Sequence, residues 1–328
     1  MIIVRTPLRI SLFGGGTDFP EYFNAYGGAV LGSSIDKYIY HSVSRFPSWL
    51  FDHKIRFAYR IVEHVSSLED IQHVPFREIL RFLGVTENIE VNLASDLPSF
   101  TGLGSSSSFT VGLINALHAY QGKLIDSDSL ARTAIYIERE ILKENVGFQD
   151  QIFSSFGGFN VVHFRGEDNF QVERLAVGQK RLESLSNNLL MYFTGVTRKA
   201  SDIEEKKLAH LHLNLATLDK MRASVDIAMN ILIGDKPLDD LGNLLGETWR
   251  LKRSLSQEVS NPLIDEIYNK GTHNGALGGK LLGAGGGGFL LFYVPQDRQP
   301  TFRHTMKQFH EVDFSINSHG SSIIHASA

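Results

Sequence analysis

The sequence predicts a mixed α+β protein of about two domains, from three observations. The chain has 328 residues, and one domain typically takes about 100–200. Hydrophobic residues make up 42% of it, ample material for a large core. Strand-like and helix-like segments are mixed along its length. The formal net charge is −4, which gives no global attraction for nucleic acid or an acidic membrane. Without cysteine there is no disulfide or thiolate chemistry, as in a reducing compartment. The opening apolar run is too short for a signal peptide, and no run reaches the ~18 apolar residues of a membrane span. A cytoplasmic protein is expected.

In chain order, residues 2–4 and 9–13 read as short strands around Pro7. Gly14-Gly15-Gly16-Thr17-Asp18 turns the backbone sharply and presents a carboxylate just beyond it. Taken alone, it reads equally well as a turn capped by Thr17 and Asp18. Residues 27–40 suggest a hairpin. Residues 41–75 carry His41, His53, His64 and His73 without metal-ligand spacing, so packing or surface roles are expected. A short helix at 76–83 ends at Gly84, and 89–94 is a strand.

Next comes Pro98-Ser99-Phe100-Thr101-Gly102-Leu103-Gly104-Ser105-Ser106-Ser107-Ser108. The apolar helical run at 109–120 follows it, with Gly122 as the stop. Gly102 and Gly104 let the backbone approach a ligand. The helix start adds unpaired N–H groups and the positive end of the macrodipole. Together these make an anion site suited to nucleotide phosphates. No GxxxxGK[ST] pattern is present, so this is not a Walker A loop.

Residues 127–145 read as a helix capped by Ser127 or Asp128, with Glu138 inside it. Residues 148–158 start another, with Asp150 in the first turn, where it would ordinarily serve as a cap. Strands are expected at 159–164 and 189–193, with polar, loop-rich chain at 165–187. The domain boundary is placed there, giving domains 1–180 and 181–328. Arg198 and Lys199 precede a long helical region, 200–233, and a basic pair near a helix start can grip a phosphate. Helices at 237–256 and 261–270 follow. Gly283, Gly285 and Gly288 formally satisfy GxGxxG, but a strand at 289–294 follows where a dinucleotide site needs a helix. A helix at 301–309 and strands at 312–316 and 321–325 complete the chain.

Three of these segments resemble the motifs of the GHMP kinases (galactokinase, homoserine, mevalonate and phosphomevalonate kinases). Residues 98–106 resemble the family's Pro-x-x-x-Gly-Leu-Gly-Ser-Ser phosphate loop. Residues 7–18 resemble its first motif, Pro-Gly-Arg-x-x-Leu-x-Gly-Glu-His-Thr-Asp in galactokinase. Arg9, Thr17 and Asp18 align without a gap, and Gly15-Gly16 replace Glu-His. That form resembles the branch acting on D-glycero-D-manno-heptose 7-phosphate and the kinase half of L-fucokinase. Residues 280–288 resemble the third motif, Lys-x-x-Gly-Ala-Gly-Gly-Gly-Gly.

The resemblance implies a fold of two parts, an N-terminal ATP-binding domain like ribosomal protein S5 domain 2 and a ferredoxin-like C-terminal domain. It implies an ATP-dependent sugar kinase acting on the anomeric hydroxyl of the heptose 7-phosphate, with ATP and Mg2+ as cofactors. An L-fucokinase-like sugar 1-kinase and a non-catalytic sugar and ATP sensor are the alternatives. The implied roles are Asp150 as catalytic carboxylate with Arg9 beside it, and Gly102, Leu103, Gly104, Ser105, Ser106, Ser107 and Ser108 around the ATP phosphates. Ser106 (or Ser105) and Glu138 would hold magnesium, with Glu140 and Glu144 as alternatives. Gly15, Gly16, Thr17, Asp18, Gly285, Gly286 and Arg198 would face the substrate, with Lys199 a further candidate for its phosphate. The expected partner is a small phosphorylated sugar, with no nucleic acid or membrane, and the expected state a monomer or homodimer.

Overall fold

The computed structural model describes residues 1–167, 169–197 and 211–327. Two sheets organise them. The first has eight strands in the order β12-β1-β2-β5-β3-β4, with β6 on β2 and β7 on β6. Its strands are β1 (Ile2–Phe13), β2 (Gly28–Arg45), β3 (Ile55–Ala58), β4 (Val62–Val65), β5 (Ile89–Ser95), β6 (Phe159–Arg165), β7 (Asn169–Arg174) and β12 (Ser322–Ala326). The 18-residue β2 forks the sheet: Gly28 to Ser33 pair with β6, and Ile39 to Arg45 with β5. The second sheet, in the order β11-β8-β10-β9, contains β8 (Leu189–Phe193), β9 (Gly278–Leu281), β10 (Phe289–Tyr293) and β11 (His310–Val312). Its strands are all antiparallel. Sheet membership changes between β7 and β8, and the last strand returns to pair with β1.

The described helices are α1 (Pro20–Tyr26), α2 (Val74–Phe82), α3 (Ser105–Tyr120), α4 (Ser127–Tyr136), α5 (Gln149–Phe156), α6 (Gln179–Asn188), α7 (Leu211–Ile233), α8 (Asp239–Ser254), α9 (Pro262–His273) and α10 (Gln299–Met306). Among the described residues, no helix is long and apolar enough to cross a membrane. Helix α3 is buried almost all round, with residues 107–117 all inside. Its composition explains this, because a helix with no polar face is stable only within the protein. One core runs from α3 and the first sheet into the second, joining Leu113 and Val161 to Met191 and Leu291.

The structure departs from the sequence reading in five places. The hairpin expected at 27–40 is part of the single long strand β2, whose residues pair with β1, β5 and β6 rather than with one another. β1 is one strand running through Pro7, and its pairing with β2 absorbs the proline by a register shift before Arg9. The helix expected at 127–145 ends as α4, capped by Asp126, and passes into a π-helical turn, Ile137–Ile141. Lys143, at φ 56°, stops it. The segment expected as loop at 165–187 holds β7, largely exposed, and most of α6, which is exposed or half-buried over most of its length, and both are polar. The strand expected at 312–316 is β11, ending at Val312, while Ile316 makes an isolated bridge to Ile35.

Candidate active site

Arg9, in the middle of β1, is the hub of a cleft. Its Nε and Nη2 donate to the two carboxylate oxygens of Asp150 at 2.7 and 2.6 Å, and its Nη1 donates to the Gly102 carbonyl at 2.6 Å. Such a fork fixes a carboxylate in two dimensions. The backbone reinforces it, since the Arg9 N–H donates to the Leu103 carbonyl at 3.0 Å. The Arg9 side chain is 5% exposed and that of Asp150 25%, so the carboxylate is the part the cleft presents. Asp150 lies in the first turn of α5, and the pairing joins residues 141 positions apart.

The phosphate loop lies against this pair. Gly104 takes left-handed φ 73° immediately before α3, and no side chain caps that helix. A Cβ at Gly104 would sit 3.2 Å from Arg9 Nε and 3.3 Å from Asp150 Oδ2, so bare backbone is what fits here. The first N–H groups of α3 are thus left to the cleft, which Gly102, Gly104, Ser105, Ser106 and Ser107 line. An anion is the natural partner for such a helix start.

The seven residues expected around the phosphates divide. Leu103 is fully buried in the core and contributes through its carbonyl alone. Ser108 is turned inward, donating to the Pro7 carbonyl at 2.8 Å and lying 2.9 Å from the Ser154 hydroxyl. Ser106 is exposed, whereas Ser107 is buried and donates to Glu138 Oε2 at 2.9 Å. The serine joined to Glu138 is therefore Ser107 rather than Ser106 or Ser105. The 3.6-residue period causes this, by aiming successive serines in different directions.

Glu138 sits on the π-helical turn and is completely buried. Its Oε2 accepts from Ser107 and from Gln151 Nε2. Its Oε1 meets no donor in hydrogen-bond geometry among the described residues. Burial, and after it the charge of Glu144, push its pKa up to about 8, so at neutral pH the carboxyl mostly keeps its proton. The alternative Glu140 is exposed and pairs with Lys143 at 3.0 Å, whereas Glu144 remains near Glu138.

Gly15, Gly16 and Asp18 line the cleft, but Thr17 does not. Thr17 is fully buried, and its hydroxyl lies 2.8 and 2.9 Å from the Gly14 and Ala29 carbonyl oxygens, so it holds the turn. Asp18, 1% exposed, accepts from the N–H groups of Gly16 at 2.9 Å and Gln149 at 3.3 Å. A Cβ on Gly147 would fall 2.0 Å from Asp18 Oδ2. The carboxylate expected to grip sugar hydroxyls therefore also ties the glycine turn to the start of α5.

The third glycine-rich segment packs backbone to backbone against the phosphate loop. A Cβ on Gly283 would lie 2.4 Å from Gly102 Cα, and one on Gly288 would lie 2.2 Å from the Thr101 carbonyl oxygen. Gly285 lines the cleft. Gly286 is not among its lining residues, and its N–H donates to the Val259 carbonyl at 3.0 Å. Arg198 and Lys199 lie outside the described residues. Two lysines given no role from the sequence do line the cleft, Lys252 of α8 and Lys280 of β9. Lys280 opens the third motif, a signal that was available, but nothing in the pattern of α8 marks Lys252.

A carboxylate clamped by a guanidinium, beside the uncapped start of a buried helix, suits transfer of a phosphoryl group. That chemistry needs placement and charge neutralisation more than covalent participation. The comparisons with known proteins agree. Residues 70–158 match the GHMP kinases N terminal domain and residues 230–311 the GHMP kinases C terminal domain. The chain is 32% identical to a D-glycero-alpha-D-manno-heptose 7-phosphate kinase of Campylobacter jejuni, over 97% of each chain. It is 27% identical to an L-fucokinase/L-fucose-1-P guanylyltransferase of Bacteroides fragilis, over 91% of this chain and 35% of the relative. Among solved structures, a D-glycero-D-manno-heptose 1-phosphate kinase from Bacteroides thetaiotaomicron superposes over the whole of both chains with a TM-score of 0.80 at 23% identity, a likeness of fold.

Proposed function

Because this chain belongs to the GHMP kinase family, we propose that it transfers the terminal phosphoryl group of ATP to the anomeric hydroxyl of D-glycero-α-D-manno-heptose 7-phosphate, giving the 1,7-bisphosphate. The observation that carries the choice of acceptor is the 32% identity, over 97% of both chains, to a kinase of that name. The geometry supports the reaction type. The N–H groups from Gly104 into α3 would receive the nucleotide phosphates. Asp150 would align the attacking hydroxyl and take its proton as the new P–O bond forms. Arg9 keeps that carboxylate turned to the cleft through its two short hydrogen bonds.

Among the described residues, Glu138 offers a place that would suit magnesium. It has, among those residues, a buried oxygen without a donor in hydrogen-bond geometry, and its partner Ser107 lines the cleft. These two residues, with Glu144 as a neighbouring carboxylate, would hold the ion. When bound, it would supply positive charge to the phosphates.

The test is ADP release with magnesium and ATP against D-glycero-D-manno-heptose 7-phosphate, mannose, fucose and galactose. Turnover on the heptose phosphate alone is expected. Turnover on a free sugar instead would keep the reaction and replace the acceptor. ATP binding without turnover on any of them would turn the protein into a sensor.

A further inference from the structure

Two polar side chains in the cleft have no part in the chemistry proposed above. Ser11 stands two positions after Arg9 on β1, so it shares Arg9's face of the strand. Gln149 directly precedes Asp150 at the start of α5. Both line the cleft. Ser11 is 7% exposed, and its hydroxyl has no hydrogen-bond partner among the described residues. The buried Oε1 of Gln149 has none among them either, since it is the backbone N–H of Gln149 that donates to Asp18. A buried polar atom without a partner is costly, and here two of them flank the Arg9–Asp150 pair.

Gly15 sits between them. Gly14 and Gly16 hold positive φ values of 79° and 100°, whereas Gly15 does not, so its backbone would accept a side chain. A Cβ there would lie 3.1 Å from Ser11 Oγ and 3.8 Å from Gln149 Nε2, and among the described residues beyond its chain neighbours it would meet nothing else within 4 Å. The bare position therefore serves space rather than the turn. An oxygen at that point would be at hydrogen-bond distance from Ser11 and close to Gln149. A serine hydroxyl and a glutamine amide are neutral and both donate and accept. The carboxylates of Asp18 and Asp150 line the same cleft and disfavour a further negative charge beside them. A hydroxyl suits these surroundings better than a phosphate. We propose that Ser11 and Gln149, with the space that Gly15 keeps open, form a specificity subsite that holds one hydroxyl of the sugar acceptor. This rests on the reading of the cleft as that of a sugar kinase.

Ser11→Ala and Gln149→Leu, made separately, remove the polar groups and keep most of the bulk. Each is assayed with D-glycero-D-manno-heptose 7-phosphate and with its monodeoxy analogues, each lacking a single hydroxyl, and with ATP varied. Each variant is expected to lower kcat/KM for the intact acceptor about tenfold and to leave the KM for ATP unchanged. One deoxy analogue, the same for both variants, should be turned over equally by parent and variants, because the hydroxyl they would have lost is already gone. A loss of equal size across every analogue marks a structural role and overturns the proposal, as does a defect confined to the KM for ATP. Gly15→Ala fills the space itself and should lower acceptor kcat/KM about a hundredfold at an unchanged KM for ATP; full activity in that variant overturns the proposal. Should thermal unfolding show that Gly15→Ala does not fold, the deoxy comparison decides alone. A parent enzyme that prefers a free sugar is a different failure, that of the heptose reading, and the same result is then required with the deoxy forms of that sugar. A parent that turns over no sugar overturns both.

Discussion

Asp150 and Glu138 border the same helix start, and their surroundings are opposite. Asp150 lies beside Gly104 at the cap of α3, where an added Cβ would meet it, and is held by a guanidinium with a quarter of its side chain exposed. Glu138 touches Ser107 three residues later, is fully buried, and accepts from the hydroxyl of Ser107 and the amide of Gln151. The difference shows that a carboxylate's role follows from the cation beside it. The protein supplies one for Asp150 in Arg9. Glu138 has a proton, up to a pH of about 8, or a cation brought from outside.

If that contrast is right, removing the first carboxylate should stop the reaction, and removing the second should change what the protein needs from solution. Asp150→Ala should lower kcat by about a thousandfold and leave ATP affinity nearly intact, as read by ADP release and nucleotide titration. Near-normal turnover would end the contrast at once. Arg9→Met should cost less, about a hundredfold in kcat, because the carboxylate stays but loses its clamp. A loss equal to that of Asp150→Ala would mean that the two act as one unit.

Glu138→Gln should raise the magnesium concentration for half-maximal rate by about tenfold. The same variant reports on stability in the metal-free protein. The folded pKa of Glu138 lies above its unfolded value, so the folded state holds a proton that the unfolded state releases, and stability falls as pH rises. The contribution is complete below about 4.5 and lost as pH passes about 8. Thermal unfolding across that window should show a decline in the parent that Glu138→Gln flattens. Parallel curves would reject the buried-acid description. The smallest effect separates adjacent serines: Ser107→Ala should lower kcat/KM about fivefold, and Ser106→Ala by less than about twofold. The reverse order would restore Ser106 as the partner of the metal.

What the sequence made legible follows from how far each feature depends on its neighbours in the chain. The glycines before α3 and the apolar run after them are local, and the loop, the helix and the uncapped start are where the pattern puts them. The Arg9–Asp150 pair spans 141 positions, and only the resemblance joined the two residues. The four serines in a row look alike in sequence until the helix rotates them, and only Ser107 meets Glu138. Thr17 and Ser108 resemble binding residues in composition, yet their hydroxyls hold backbone carbonyls inside the fold. Lys252 left no trace, because a lysine on a helix is ordinarily solvated and its burial depends on β9 arriving from later in the chain. β7 and α6 were missed for the converse reason, since their exposed, polar faces read as loop.

The return of β12 to β1 has a consequence for how the molecule is made. Ile2 pairs with Ala326 and Arg5 with Ser322, so the strand that carries Arg9 cannot complete its outer flank until residues more than 300 positions later have left the ribosome. Until β12 is made, β1 presents an open line of backbone donors and acceptors, the kind of edge that recruits foreign strands. The nascent chain therefore passes through a vulnerable interval that the finished protein does not show. The arrival of β12 brings that interval to a close.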